Sequence, residues 1–402
     1  MRQFQTALAS AVAAIAVTAS PAAFAQDIKI GVLLGFTGPL EALAPPIAAG
    51  AELALTQVND QGGILDGRNL VPVRGDSTCA DATAAANAAD RLINTEGVSA
   101  IVGAMCSGAT ASAANVAGIP SGTVMISPSA TGSLISTLAD NDLVFRTATS
   151  DGYNGEVLAR IIRSKGIDDI VITYVNNDYG KGLADTLEAA FMAEGGTVAA
   201  KEQHEEGKAD YRAEIGSLAA TGSLNLAVLA YAQGSGQTLL RQAIESGNFV
   251  TYIGADGMVS DDLFVGMDVS QLEGMIADKP ADPAVAGAVV FAEQARAAGL
   301  DPTAIFSPQA YDGAFLLALA LERNGGSKDG LAAAVRAVAT APGEVILPGE
   351  WAKAKAILAA GGDVDYEGAT GPLEFDASGD VPGAVVEMVV QNGMWVEVGP
   401  AS

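Results

Sequence analysis

The sequence holds one histidine, His204, inside Lys201-Glu202-Gln203-His204-Glu205-Glu206, a charged run that reads as a solvated surface loop. A Ser-His-acid triad would need that imidazole beside a nucleophile, and no G-x-S-x-G elbow accompanies it. H-E-x-x-H and paired C-x-x-C spacings are missing as well, so neither hydrolytic chemistry nor a metal site is expected. Gly234-Ser235-Gly236 stands where a dinucleotide-binding turn would begin, but Leu239 occupies the place of the third glycine, and the chain has no Walker-type phosphate loop. The glycine pair therefore reads as a tight turn. No catalysis, cofactor or metal is expected.

Binding chemistry is better represented. Cys106-Ser107-Gly108 and Ser127-Pro128-Ser129-Ala130-Thr131 each follow an apolar run of strand type and precede a segment of helical spacing. Hydroxyls and unpaired main-chain N–H groups at such helix starts hold anions, carboxylates among them, although Ser and Thr also cap ordinary helices. In the second half, Tyr231 and Asp256 stand just after apolar runs. Asp256, in Ile253-Gly254-Ala255-Asp256-Gly257, could close an Asx-type turn. A carboxylate shut into a cleft is costly unless it meets a cation, and an ammonium group would serve. Together the two groups suit a zwitterion, its carboxylate on one side and its ammonium on the other.

The elements that must position these residues alternate. Strand-type runs at 27–34, 69–74, 98–102 and 123–127 are separated by helical spacings at 47–58, 83–94 and 109–117. The alternation restarts after Phe145-Arg146-Thr147, with strands at 170–175, 226–230 and 250–253 and helices at 156–164, 183–193 and 238–245. The expected class is α/β, with two Rossmann-like lobes built on parallel sheets. Helical stretches at 286–298, 312–323 and 331–339 then return to complete lobe one, and strands at 385–390 and 394–398 finish lobe two. The expected division is a leader over 1–25, lobe one over 26–147 plus 279–370, and lobe two over 148–278 plus 371–402. The chain then crosses between lobes three times, forming a hinge.

Arg2, the apolar run 7–19 and Ala23-Phe24-Ala25 read as a secretory signal cleaved near Ala25. The apolar run falls short of the roughly 20 residues that span a bilayer, so an exported, non-membrane-spanning product is expected. Formal charge is −26 for 402 residues, which disfavours nucleic acid and anionic lipid as partners. Ala, Val, Leu, Ile and Gly dominate, with only 5% aromatic residues, as suits buried parallel strands under Ala-rich helices. Two cysteines in an exported chain, Cys79 and Cys106, are expected to pair.

At these residues the sequence resembles the branched-chain amino-acid-binding proteins of ABC uptake systems, within the type I periplasmic binding proteins. The resemblance rests on Ile30-Gly31-Val32-Leu33-Leu34-Gly35-Phe36-Thr37-Gly38-Pro39, Ile126-Ser127-Pro128-Ser129-Ala130-Thr131, Phe145-Arg146-Thr147, Asp178-Tyr179-Gly180-Lys181-Gly182 and Gly371-Pro372-Leu373-Glu374-Phe375-Asp376. It implies that Ser107, Ser129 and Thr131 hold a ligand α-carboxylate, that Ala130 between the last two belongs to the ligand-binding set, that Asp256 and Tyr231 receive the α-ammonium, and that Tyr179 borders the cleft. It implies a Cys79–Cys106 disulfide in lobe one. It also implies a periplasmic receptor that closes like a clamshell on a small, aliphatic L-amino acid and delivers it to an inner-membrane ABC permease. Leu43 departs from the resemblance, because related leucine receptors often present an aromatic residue there. It either packs or lines the side-chain pocket. The alternatives are a receptor for an amide, urea or aromatic carboxylate, and an exported sensor that reports to a signalling partner.

Overall fold

The computed structural model describes residues 26–281 and 285–401. The leader expected over 1–25 lies outside the described residues. Two sheets carry the molecule. In the first, five parallel strands stand in the order Leu70–Asp76, Ile28–Leu34, Ala100–Gly103, Met125–Ser127, Val144–Arg146. In the second, Thr197–His204, Asp169–Val175, Asn225–Leu229, Thr251–Ile253 and Ile276–Pro280 run parallel, and Val385–Gln391 and Met394–Ala401 add an antiparallel edge. The parallel part of each sheet repeats one order, second-first-third-fourth-fifth along the chain. In that order the crossovers reverse direction between the first and third strands, and this opens a crevice at the strands' carboxyl ends. The α/β class with two Rossmann-like lobes is therefore present.

Burial explains the strands. Ile30, Val32, Leu33, Leu34, Ile101 and Val102 are buried on both faces, as a parallel strand between helical layers must be. Helix Ala44–Asp60 lies against the long helix Ser307–Arg323, whose residues from Ser307 to Leu321 are all buried. The close approach needs Gly50, because a Cβ there would sit 2.3 Å from the Ser307 carbonyl oxygen. Helix Ser307–Arg323 thus completes the first core, although it follows the parallel strands of the second sheet in the chain. A small sheet of Glu344–Ile346, Val364–Gly368 and Gly371–Pro372, with helix Trp351–Ala359, packs on the same lobe. Residues 371–380 were expected in lobe two, yet Leu373 and Phe375 are buried in the first core, and Arg146 N–H donates to the Gly379 carbonyl at 3.0 Å.

Two further expectations change. His204 is not on a surface loop: it ends strand Thr197–His204 with 1% exposure. Its ring lies between Thr173 Oγ1 (2.8 Å) and Ser235 Oγ (3.0 Å), edge-on to Tyr211. Burial lowers its pKa to about 4. The flanking charges misled because this is an edge strand, where one face stays wet and polar residues alternate outward. Gly234-Ser235-Gly236 is no simple turn either. It lies in a π-helical turn, Ala232–Gly236, that runs into helix Gln237–Ser246.

Candidate functional site

The crevices of the two sheets face each other and share one cavity. Lobe one lines it from three loops that follow parallel strands. These carry Leu40 and Leu43 after Ile28–Leu34, Ser107 after Ala100–Gly103, and Ser129 and Thr131 after Met125–Ser127. Lobe two answers with Tyr179 after Asp169–Val175, Tyr231 after Asn225–Leu229 and Asp256 after Thr251–Ile253. The strand order repeated in both sheets is what brings these loops together. Ser107, Ser129, Thr131, Tyr179, Tyr231, Asp256 and Leu43 therefore share the cavity. Ala130 is set back from it, fully buried, and its N–H goes to Ser127 Oγ at 3.0 Å.

The lobe-one wall is held by bonds that do not involve a ligand. Ser107 Oγ accepts the Gly132 N–H at 3.0 Å, which leaves its own proton to donate. Ser129 Oγ instead donates to the Met105 carbonyl at 2.8 Å, so its hydroxyl proton is already used. Arg146, fully buried, donates through one guanidinium nitrogen to the carbonyls of Ala130 (3.1 Å), Thr131 (2.8 Å) and Gly132 (2.9 Å). Its other nitrogens form a two-pronged pair with Asp380, at 2.6 and 2.8 Å. N–H and C=O of one trans peptide unit point opposite ways, so gripping the Ala130 carbonyl turns the Thr131 N–H away from Arg146. That N–H has no partner among the described residues. Cys79 and Cys106 are bonded, with Cα atoms 5.5 Å apart, and Cys106 is the N-cap of helix Ser107–Ala113. The bridge pins the residue next to Ser107.

The lobe-two wall is acidic and buried. Asp256 Oδ1 accepts the Tyr179 hydroxyl at 2.7 Å and the Gly257 N–H at 2.8 Å, while Oδ2 has no hydrogen bond among the described residues. Burial raises the Asp256 pKa, and the bonds from Tyr179 and Gly257 hold it back. Tyr179 stacks on Tyr231 with ring centroids 5.1 Å apart, and Asn177 Nδ2 donates to the Tyr231 hydroxyl at 3.2 Å. Both phenols are raised, chiefly by burial, so they remain neutral donors. Behind them lie two carboxyls that sequence reasoning did not single out. Asp151 opens helix Asp151–Ser164, and Asp278 sits in strand Ile276–Pro280. Neither has a hydrogen-bonded carboxylate oxygen among the described residues. Both are raised well above the ordinary range, first by burial and then by neighbouring acids, Asp256 in each case.

Sequence reasoning also missed part of the apolar lining: Leu40, Met105, Val259, Ile305 and Phe306. Leu40 is three residues from Leu43 in the same loop and could have been found. Ile305 and Phe306 arrive from a segment distant in sequence, which no local signal marks. The arrangement offers neutral donors to an anion on one wall and a carboxylate to a cation on the other. Among the described residues no group of His, Cys, Asp and Glu is placed to hold a metal, and no helix is long and apolar enough to cross a membrane.

Residues 47–392 match the family described as receptor family ligand binding region. The leucine-, isoleucine-, valine-, threonine- and alanine-binding protein of Pseudomonas aeruginosa is 31% identical over 318 residues, which is 78% of this chain and 82% of that protein. An ABC transporter substrate-binding protein of Desulfitobacterium hafniense, solved in complex with Leu, aligns with a TM-score of 0.71 at 25% identity and covers 92% of this chain and 100% of its own. A leucine-binding protein of Thermotoga maritima has the same fold, with a TM-score of 0.77 at 23% identity over 93% of this chain and 99% of its own.

Proposed function

From the premise that this chain belongs to the receptor ligand-binding-region family, among the branched-chain amino-acid-binding proteins of ABC transporters, we propose that it captures an L-α-amino acid between its lobes in the periplasm and passes it to an inner-membrane permease. One observation carries the head-group reading: Asp256 Oδ2, unbonded in a buried wall, shares a cavity with the free Ser107 hydroxyl proton and the free Thr131 N–H. The α-carboxylate takes the lobe-one donors, including the dipole of the helix that Ser107 opens. The α-ammonium takes Asp256, with the Tyr179 and Tyr231 rings beside it as cation–π partners. Ser129 contributes its place in the wall rather than its hydroxyl proton.

Closure follows from unequal partners. Lobe one can receive the carboxylate in an open cleft, whereas the ammonium reaches Asp256 only when the lobes meet. Contact with Asp256 is then the free energy that favours the closed form, the form a permease would recognise. The names of the relatives support an aliphatic side chain. Titration calorimetry of the mature protein with L-leucine, L-valine and L-alanine tests the reading, alongside Asp256→Asn. The variant keeps the Tyr179 and Gly257 bonds but loses the charge, and affinity should fall by about 100-fold, in the range of a buried charge pair. Unchanged affinity in Asp256→Asn would end the ammonium assignment. Binding of acetamide, urea or benzoate in place of every amino acid would end the whole reading.

A further inference from the structure

The cavity that holds the head-group residues does not end at its apolar side. Leu43, Val259, Ser260, Ile305 and Phe306 line it, and the same five residues line a second, larger chamber beyond. They form a partition with space on both faces rather than the closed floor of a pocket cut to a branched side chain. Pro46, Pro280, Pro308, Met388 and Trp395 give the second chamber an apolar side, and Asp261, Lys279, Asp301, Thr303 and Gln309 line it as well. Trp395 packs against Phe264 with ring centroids 5.9 Å apart and planes tilted by 40°.

A second observation falls on the partition itself. Phe306 has φ +63° and ψ 1°, the left-handed conformation, which an aromatic residue seldom adopts. It precedes helix Ser307–Arg323, where glycine would do the same work without strain. A phenyl ring kept in that conformation, 8% exposed and between two chambers, indicates that the ring is needed at that spot.

We infer that the partition is a length gauge: the ligand is an α-amino acid with an aryl-bearing side chain longer than a branched one, passing between Leu43 and Phe306 so that its ring rests in the second chamber. This rests on the amino-acid head-group reading above and puts a longer, aryl-bearing side chain in place of the aliphatic one. The head group stays with Ser107, Thr131 and Asp256, the side-chain methylenes lie along Leu43 and Ile305, and the terminal ring meets the prolines, Met388 and Trp395. The carbons of that ring leave water against the apolar side formed by the prolines, Met388 and Trp395, which is where the longer ligand gains over leucine.

The test uses calorimetry with L-leucine and L-homophenylalanine on the mature protein and on Ala304→Trp. Ala304 lines the second chamber and not the first, so the new indole fills only the far space. Wild type should bind homophenylalanine about tenfold more tightly than leucine, from the added apolar burial. Ala304→Trp should lose that advantage while holding leucine as wild type does, and retained leucine binding also shows that the variant folds. Leucine binding as tightly as homophenylalanine in wild type would overturn the length gauge and leave the amino-acid reading intact. Equal losses for both ligands in Ala304→Trp would overturn it as well. If neither ligand binds wild type, the head-group reading falls and takes the gauge with it.

Discussion

Lobe one meets the cleft with hydroxyls and main-chain N–H groups whose supporting bonds are already made, whereas lobe two meets it with a carboxylate buried among other carboxyls. The contrast arises on the same strand order. In lobe one a buried cation, Arg146, is fully used in holding three carbonyls and Asp380, so no net charge is left facing the cavity. In lobe two, burial raises Asp256, Asp151 and Asp278, the charge of Asp256 raises the last two further, and no buried cation among the described residues of that wall answers Asp256. One wall is preorganised for its ligand group. The other is held at a cost that the proposed ligand cation would relieve, and that difference would give the proposed closure its direction.

Removing the order of lobe one should have the largest effect. Arg146→Met leaves Asp380 and three carbonyls without their donor and should lower unfolding free energy by about 3 to 5 kcal/mol, as for a broken buried pair, measured by urea denaturation. A loss below about 1 kcal/mol would mean that Arg146 does not organise the wall. Replacing both cysteines by serine opens a bridge spanning 27 residues of sequence and should cost roughly 3 to 4 kcal/mol in the chain-entropy account, with affinity reduced because helix Ser107–Ala113 loses its anchor. Stability falling while affinity holds would show that the bridge is remote from the site's function.

Acid separates the walls without mutation. The raised Asp256 carboxyl keeps its proton in the fold at pH values where the unfolded chain, near the ordinary 3.8, has lost it. Its burial therefore destabilises the empty protein above that window, and the penalty fades as pH falls from the raised value toward 3.8. Relative to Asp256→Asn, the empty wild type should gain stability on acidification across that window. Amino-acid affinity should fall over the same window, because a neutral carboxyl no longer pairs with ammonium. Urea unfolding and calorimetry at stepped pH check both, and parallel movement of the two would contradict the assignment. The comparison with Asp256→Asn cancels His204, which acts in the opposite sense: its value of about 4 makes lobe two lose stability as pH falls from 6.5.

The smallest expected effect distinguishes two serines. Ser107→Ala should weaken amino-acid binding by roughly tenfold, the value of one hydrogen bond to a charged group. Ser129→Ala should change it by less than about threefold, since its proton goes to Met105. Equal losses would show that the Ser129 hydroxyl turns to the ligand on closure.

Much of this was legible in local order. Ser107, Ser129, Thr131, Tyr231 and Asp256 each follow an apolar strand run, and a parallel sheet presents loops at that end. Helix Ala44–Asp60 could be seen from its spacing, and the paired cysteines from their number. His204 was misplaced because an edge strand with one wet face has the composition of a loop. Asp151 was passed over because an acid in the first turn of a helix is ordinary at the surface, and nothing nearby shows that it is buried.

The sequence by itself determined the alternation of strands and helices, the two-lobed class, the candidate head-group residues and the absence of a catalytic or metal constellation, because these depend on residue types at short spacing. Only the tertiary structure decided that Asp256 is desolvated beside two more carboxyls, that the Ser129 proton is used and the Ser107 proton is not, that Arg146 grips the loop of Thr131, and that Ile305 and Phe306 line the cavity beside Leu43. Each of these depends on which groups from distant parts of the chain exclude water from one another, and burial of that kind has no local spacing to betray it.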